Sequence, residues 1–204
     1  MRVLVYSATA GYRHDSIPAG VEAIRSFDGL EVEATEEPVA LSDLTPYDAV
    51  VFLSISGDVV PDAGRTELER FVAAGGGFAG IHSATDGPED WPWYDELIGA
   101  RFDSHPDPST ERITVVDRDH PSTAHLPERW DRHDEWYVFE RVAPGSRVLL
   151  QLQPDRPLAW ERRVGPGRSW YTALGHEAAA YDDPAFRAHL LGGIRSVAST
   201  RGIA

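Results

Sequence analysis

The side chains best suited to proton transfer in this chain are histidines set among acids and aromatics. His14 lies in Gly11-Tyr12-Arg13-His14-Asp15-Ser16. His82 ends the run Gly75-Gly76-Gly77-Phe78-Ala79-Gly80-Ile81-His82-Ser83-Ala84-Thr85-Asp86. His105 precedes Pro106, Glu135 follows His133-Asp134, and His176 lies in Leu174-Gly175-His176-Glu177. Imidazole titrates close to neutral pH and serves as general acid, general base or metal ligand. Histidines with carboxylates could hold a divalent metal without cysteine. No compact His-Glu-x-x-His signature is present, so the metal and any other cofactor stay open. Aromatics beside acids and arginine suit a sugar, stacking on its apolar face while charged groups bind its hydroxyls.

Each residue also has a structural reading. His82 could be a hydrogen-bonded strand end, His14 a turn contact with Asp15, and His105 a turn former before Pro106. Glu135 reads equally as a solvated carboxylate. His120, His125, His133 and His189 read as surface or helix residues, and Trp91, Trp93, Trp136 and Tyr137 as packing.

Composition removes several alternatives. The chain has 204 residues, no cysteine and a net charge of −14. Thiolate nucleophiles, thiolate metal sites and disulfides are excluded. All 19 basic residues are arginine, so a Schiff-base lysine is excluded too. Strong negative charge opposes nucleic-acid binding and docking on anionic membranes. No apolar run approaches the roughly 20 residues that cross a bilayer. The start, Met1-Arg2-Val3-Leu4-Val5, lacks the apolar core of a secretory signal, so the cytoplasm is expected. The glycine run 75–77 is not followed by the Lys-Ser/Thr of a phosphate loop, and Ser83 is not in a Gly-x-Ser-x-Gly elbow.

The elements that would position these groups follow from pattern. Apolar runs at 3–6, 49–53 and 78–81 read as buried strands, with an alternating strand at 30–34. Helices are expected from Asp15 or Ser16 through Ile24, from Pro61 to Val72 with Gly75 ending it, and from Asp183-Pro184 to Val197. A short helix starts near Trp91 and runs through Leu97. Strands are expected at 112–116 and 147–151, with a hairpin turning at Gly165-Pro166-Gly167. Residues 119–132 read as loop. The alternation of strands and helices predicts adjacent parallel strands in one α/β domain spanning residues 1–204, its ligand site beyond the strands' carboxyl ends.

Several stretches together resemble the ThuA-like, trehalose-utilisation family. They are 11–17, 80–86, 97–102 with His105-Pro106, 134–137, 157–160, 167–176 and the helix start at Asp183-Pro184-Ala185-Phe186. They follow in order along nearly the whole chain. The resemblance implies a flavodoxin-like, class I glutamine amidotransferase-like fold: a three-layer α/β/α sandwich on a mostly parallel sheet. In those enzymes a cysteine occupies a sharp strand-to-helix turn. Here His82 takes that place within Gly80-Ile81-His82-Ser83-Ala84, so amidotransferase chemistry is not expected.

The resulting expectation is an enzyme of carbohydrate catabolism acting on a disaccharide or keto-glycoside. His82, His176 and Glu135 are the expected catalytic groups. Arg13, His14, Asp86, His105 and Trp136 are the expected substrate contacts. The expected partner is a small-molecule carbohydrate, and a homo-oligomer is compatible with the sequence. The alternative is a non-catalytic sugar-binding or regulatory domain.

Overall fold

A computed structural model of the chain describes residues 1–198. Its N-terminal half is built on parallel strands. β1 (Arg2–Tyr6) lies between β2 (Glu31–Thr35) and β3 (Ala49–Leu53), and β4 (Gly77–Ile81) lies beside β3. The registers pair Val3 with Ala49 and Val50 with Phe78, as the apolar runs predict. β1, β3 and β4 are buried almost throughout, which is why their sequences are continuous rather than alternating.

The sheet then changes character. β11 (Gly167–Thr172) pairs parallel to β4. Beyond it come β10 (Arg156–Val164), β9 (Arg147–Gln153), β6 (Ser109–Val115) and β7 (Arg129–Asp134), each antiparallel to its neighbour. The nine strands run in the order β2-β1-β3-β4-β11-β10-β9-β6-β7. Four reversals separate β11 from β7, so β7 runs in the same direction as β1, β3, β4 and β11. A two-stranded ribbon pairs β5 (Ala100–Ser104) with β8 (Val138–Val142).

Helices cover the sheet. α1 (Ile17–Arg25) packs against α4 (Pro184–Val197); α2 (Asp62–Ala73) and α3 (Pro92–Ile98) complete the set. Successive side chains on a strand face opposite sides. On β4, Gly77 closes against Val197 of α4, whereas Phe78 meets Tyr94 and Gly80 meets Ile98, both on α3. α4 and α3 therefore cover opposite faces. Asp183 caps α4 as expected, accepting the Ala185 amide at 2.9 Å. Ser16 precedes α1 without a side-chain cap bond; its hydroxyl instead donates to the Gly175 carbonyl at 3.1 Å, tying α1 to the loop after β11.

Three expectations are corrected. Residues 129–132, expected as the end of a loop, form the first part of β7. His189 is on α4 but fully buried, bonded to the Ser122 carbonyl and Thr172 hydroxyl. His120 is also buried, and the Ser122 amide donates to its Nδ1 at 3.2 Å.

Candidate functional site

Four strand ends deliver the candidate groups to one edge of the sheet. His14 sits in the loop between β1 and α1, and His82 directly follows β4. Glu135 directly follows β7, and His176 lies just past β11. This is the edge at which open α/β sheets bind ligands.

His82 holds a left-handed backbone, φ +54°, uncommon for a residue other than glycine. Such a conformation persists where its surroundings enforce it. Tyr171 donates to the His82 carbonyl at 2.7 Å, and Tyr94 donates to the Ala84 carbonyl at 2.7 Å. The His82 ring Nδ1 lies 2.8 Å from the Ala173 carbonyl. A carbonyl only accepts, so Nδ1 carries the proton and Nε2 faces the site.

Around that Nε2, His14 Nε2 stands at 3.0 Å, the Tyr137 hydroxyl at 3.2 Å and Glu135 Oε2 at 3.4 Å. His176 Nδ1 is 3.3 Å from Glu135 Oε2, and His105 Nδ1 is 3.1 Å from Glu135 Oε1. His82 and His176, expected to share a centre, have ring centroids 5.4 Å apart. Glu135 is 4% exposed, so it is not the solvated carboxylate that its sequence also allowed.

The buried carboxylate of Asp134 organises this corner. It accepts the amides of Glu135 at 3.0 Å, Gly175 at 3.1 Å and His176 at 3.1 Å, and pairs with Arg132 Nε at 3.1 Å. It thereby joins the end of β7 to the loop after β11. Nothing in the sequence singles Asp134 out, because a neighbour of a candidate acid carries no signal of its own.

Electrostatics divide the labour. Burial, then repulsion from His82 and His176, pushes His14 down to about 3, so it is neutral at pH 7. Burial would raise the Glu135 carboxyl, but His176 and His82 outweigh it and hold the group well below the usual carboxylate range. The Glu135 carboxylate raises His176. Burial raises Asp86, with Glu89 adding to the effect. One carboxylate is thus shared among three imidazoles, His82, His105 and His176.

A cavity of about 340 Å³ opens onto the cluster, near the small end of ligand pockets. Tyr12, His14, Asp86, Phe102, His105, Glu135, Tyr137 and His176 are among its lining. Tyr12 is 68% exposed and meets the His14 ring edge-on at 4.8 Å. Two expected contacts lie elsewhere. Arg13 pairs with Glu36 at 2.6 Å and lines a different hollow, while Trp136 is buried with its indole N–H on Ser109. A larger hollow of about 630 Å³ lies beside Glu96, Arg147 and Arg162, which are engaged in ion pairs with neighbouring groups. Among the described residues, His14, His82, Glu135 and His176 could together hold a metal, their ligand atoms lying within 4.8 Å of one another.

The ThuA family model, described as trehalose utilisation, matches residues 2–196. The chain belongs to the ThuA family. A ThuA-like protein from Bacteroides uniformis shares 20% identity at a TM-score of 0.79, over 96% of this chain and 90% of that one. A second, from Parabacteroides merdae, shares 19% identity at a TM-score of 0.83, over 100% and 92% of the two chains. A cytoplasmic protein of Salmonella typhimurium LT2 shares 15% identity at a TM-score of 0.75, over 98% and 100%. At these identities the structural likeness speaks for the fold. No curated protein matches the sequence.

Proposed function

We propose that this ThuA-family protein is an enzyme of carbohydrate catabolism. Its substrate is a disaccharide or keto-glycoside, and His82, His176 and Glu135 form the reacting centre. The observation that carries the reading is the convergence of three histidines, His82, His105 and His176, on one buried carboxylate at the floor of a small aromatic-walled cavity, with His14 against His82. Glu135 stays ionised and His176 is biased towards its protonated form. Groups whose environments push their titrations apart are suited to acid–base work on a sugar hydroxyl or carbonyl. Asp86 and His105 line the cavity and contact the sugar, with His14 at its floor. Tyr12 and Phe102 offer rings for its apolar face.

We place the chain on a class I glutamine amidotransferase-like, three-layer scaffold without that chemistry. Helices on both sheet faces and the left-handed turn at His82 support this, and the absence of cysteine removes the nucleophile. The place of work is the cytoplasm, a reading favoured by the Salmonella relative of that description and compatible with the absence, among described residues, of a helix able to cross a membrane.

Incubation of the protein with trehalose and its keto derivatives, followed by NMR, tests the proposal. Turnover is expected, with a large loss in Glu135→Gln. Saturable sugar binding without turnover would refute the enzyme and leave the binding-domain alternative. Neither binding nor turnover would remove sugar as the ligand.

A further inference from the structure

We infer that His14, His82, His176 and Glu135 form a binding site for one divalent transition-metal cation. The inference rests on reading this cluster as the working centre, though not on sugar as the substrate.

Tautomers carry the first part of the argument. The Ala173 carbonyl fixes the proton of His82 on Nδ1, which leaves an Nε2 lone pair in the neutral ring. A carbonyl behind the ring is also the usual support of a metal-bound histidine. His14 has a similar option, because Ser83 Oγ lies 3.4 Å from its Nδ1 and can accept a hydrogen bond from an Nδ1–H. In that form both Nε2 lone pairs point at each other across 3.0 Å. Two lone pairs at that distance repel unless a cation or a proton lies between them.

His176 adds an independent observation. Its Nδ1 is buried and has no hydrogen-bond partner, although Glu135 Oε2 is 3.3 Å away. The approach lacks hydrogen-bond alignment, but both atoms face the same small volume. A buried donor or acceptor left in this state costs free energy. A coordinated ion would satisfy it, with the cation taking the place of the proton that Glu135 otherwise favours on this ring.

Distances agree with this reading. Ligands about 2.0–2.1 Å from one ion stand roughly 3.0–3.4 Å apart at octahedral or tetrahedral angles. The contacts of 3.0, 3.3 and 3.4 Å fall in that range. All four ligand atoms lie within 4.8 Å of one another, a spread that a bound ion would have to draw in. Three imidazoles and one carboxylate favour zinc, manganese or iron(II) over magnesium or calcium, which prefer all-oxygen shells. Tyr12, Asp86 and His105 line the same cavity, so a ligand held there could reach a cation bound by the cluster. A cation there would polarise a ligand oxygen.

The test uses the full chain, stripped with chelator and dialysed, then titrated with zinc chloride and manganese chloride by calorimetry. Metal content is measured after desalting, and circular dichroism checks the fold. Close to one equivalent per chain and a raised Tm are expected. His82→Ala and Glu135→Gln should each weaken binding at least tenfold. His133→Ala, a histidine paired with Glu177 at 3.5 Å outside the cluster, should bind as wild type. No retained metal with either ion would overturn the inference, as would undiminished binding in folded His82→Ala. Stoichiometric metal without sugar turnover would leave the metal site standing and refute the carbohydrate enzyme. Turnover undiminished in stripped protein that takes up no metal would do the reverse.

Discussion

Removing the Asp134 carboxylate should loosen the site and the fold together. In Asp134→Ala the amides of Glu135, Gly175 and His176 lose their acceptor, and Arg132, whose side chain is 5% exposed, loses one of its two carboxylates. Breaking a buried ion pair from one side costs about 3–5 kcal/mol. Arg132 keeps Asp183 at 3.0 Å, which argues for the lower part of that range. For a chain of this size each kcal/mol moves Tm by about 2–4 °C, so a fall of roughly 6–20 °C is expected. Asp134→Asn keeps one acceptor oxygen and should recover part of the stability. It sets an amide against the Arg132 donor, however, and its hydrogen bonds to the loop lose their charge. The loop carrying His176 should then drift relative to Glu135. A displacement of about 1 Å at a reacting centre costs on the order of a hundredfold in rate. Urea unfolding and thermal melts measure the first effect, and ligand affinity or turnover the second. If Asp134→Ala lies within 1 kcal/mol of wild type, or folded Asp134→Asn keeps full site function, the assignment of Asp134 as the positioning residue is wrong.

Three more outcomes follow from the same geometry. Tyr12→Ala should leave the urea midpoint nearly unchanged, because an exposed side chain contributes within about 0.5 kcal/mol, while raising KM or Kd for the sugar; an unchanged KM removes Tyr12 from the binding surface. Burial pushes His189 down to about 3, so between pH 6.5 and 3 the unfolded chain takes up a proton that the native state excludes. Stability therefore falls as pH drops, and at pH 5 His189 alone should remove roughly 2 kcal/mol relative to pH 7; equal urea midpoints at the two pH values would contradict this. Gly193→Ala drives a methyl group into the Trp170 indole across α4 and β11, and should cost at least about 1–3 kcal/mol through overpacking; a wild-type melting curve would show that the helix shifts freely.

The parallel half of the sheet was legible because continuous burial writes continuous apolar sequence, as in Ala49-Val50-Val51-Phe52-Leu53. β7 was not. Its buried positions are Trp130, Arg132 and Asp134, so an ion pair stands where alternating apolar residues would mark a strand. β5 and β8 are short, mix apolar with charged residues, and pair with each other apart from the main sheet. At the site, His14, His82, His105, Glu135 and His176 could be named from their type and their position at element ends. Arg13 could not be separated from them by sequence, since the preference of its guanidinium for Glu36 arises only once β2 lies beside β1. Trp136 shared a motif with Glu135, yet adjacent residues at a strand end point opposite ways, and its ring faces Ser109.

The place of β11 in the sheet has a consequence for synthesis. β4 needs β11 on its far side, but the chain between Ile81 and Thr172 must be made first. At about 5–20 residues per second, those roughly ninety residues take on the order of 5–20 s. For that interval the nascent chain carries β2, β1, β3 and β4 with an apolar Gly-Phe-Ala-Gly-Ile edge unpaired. Such an edge is a template for pairing with another chain. The strand that leads into His82 is thus an interior strand of the finished sheet but an unpaired apolar rim while the ribosome is still at work.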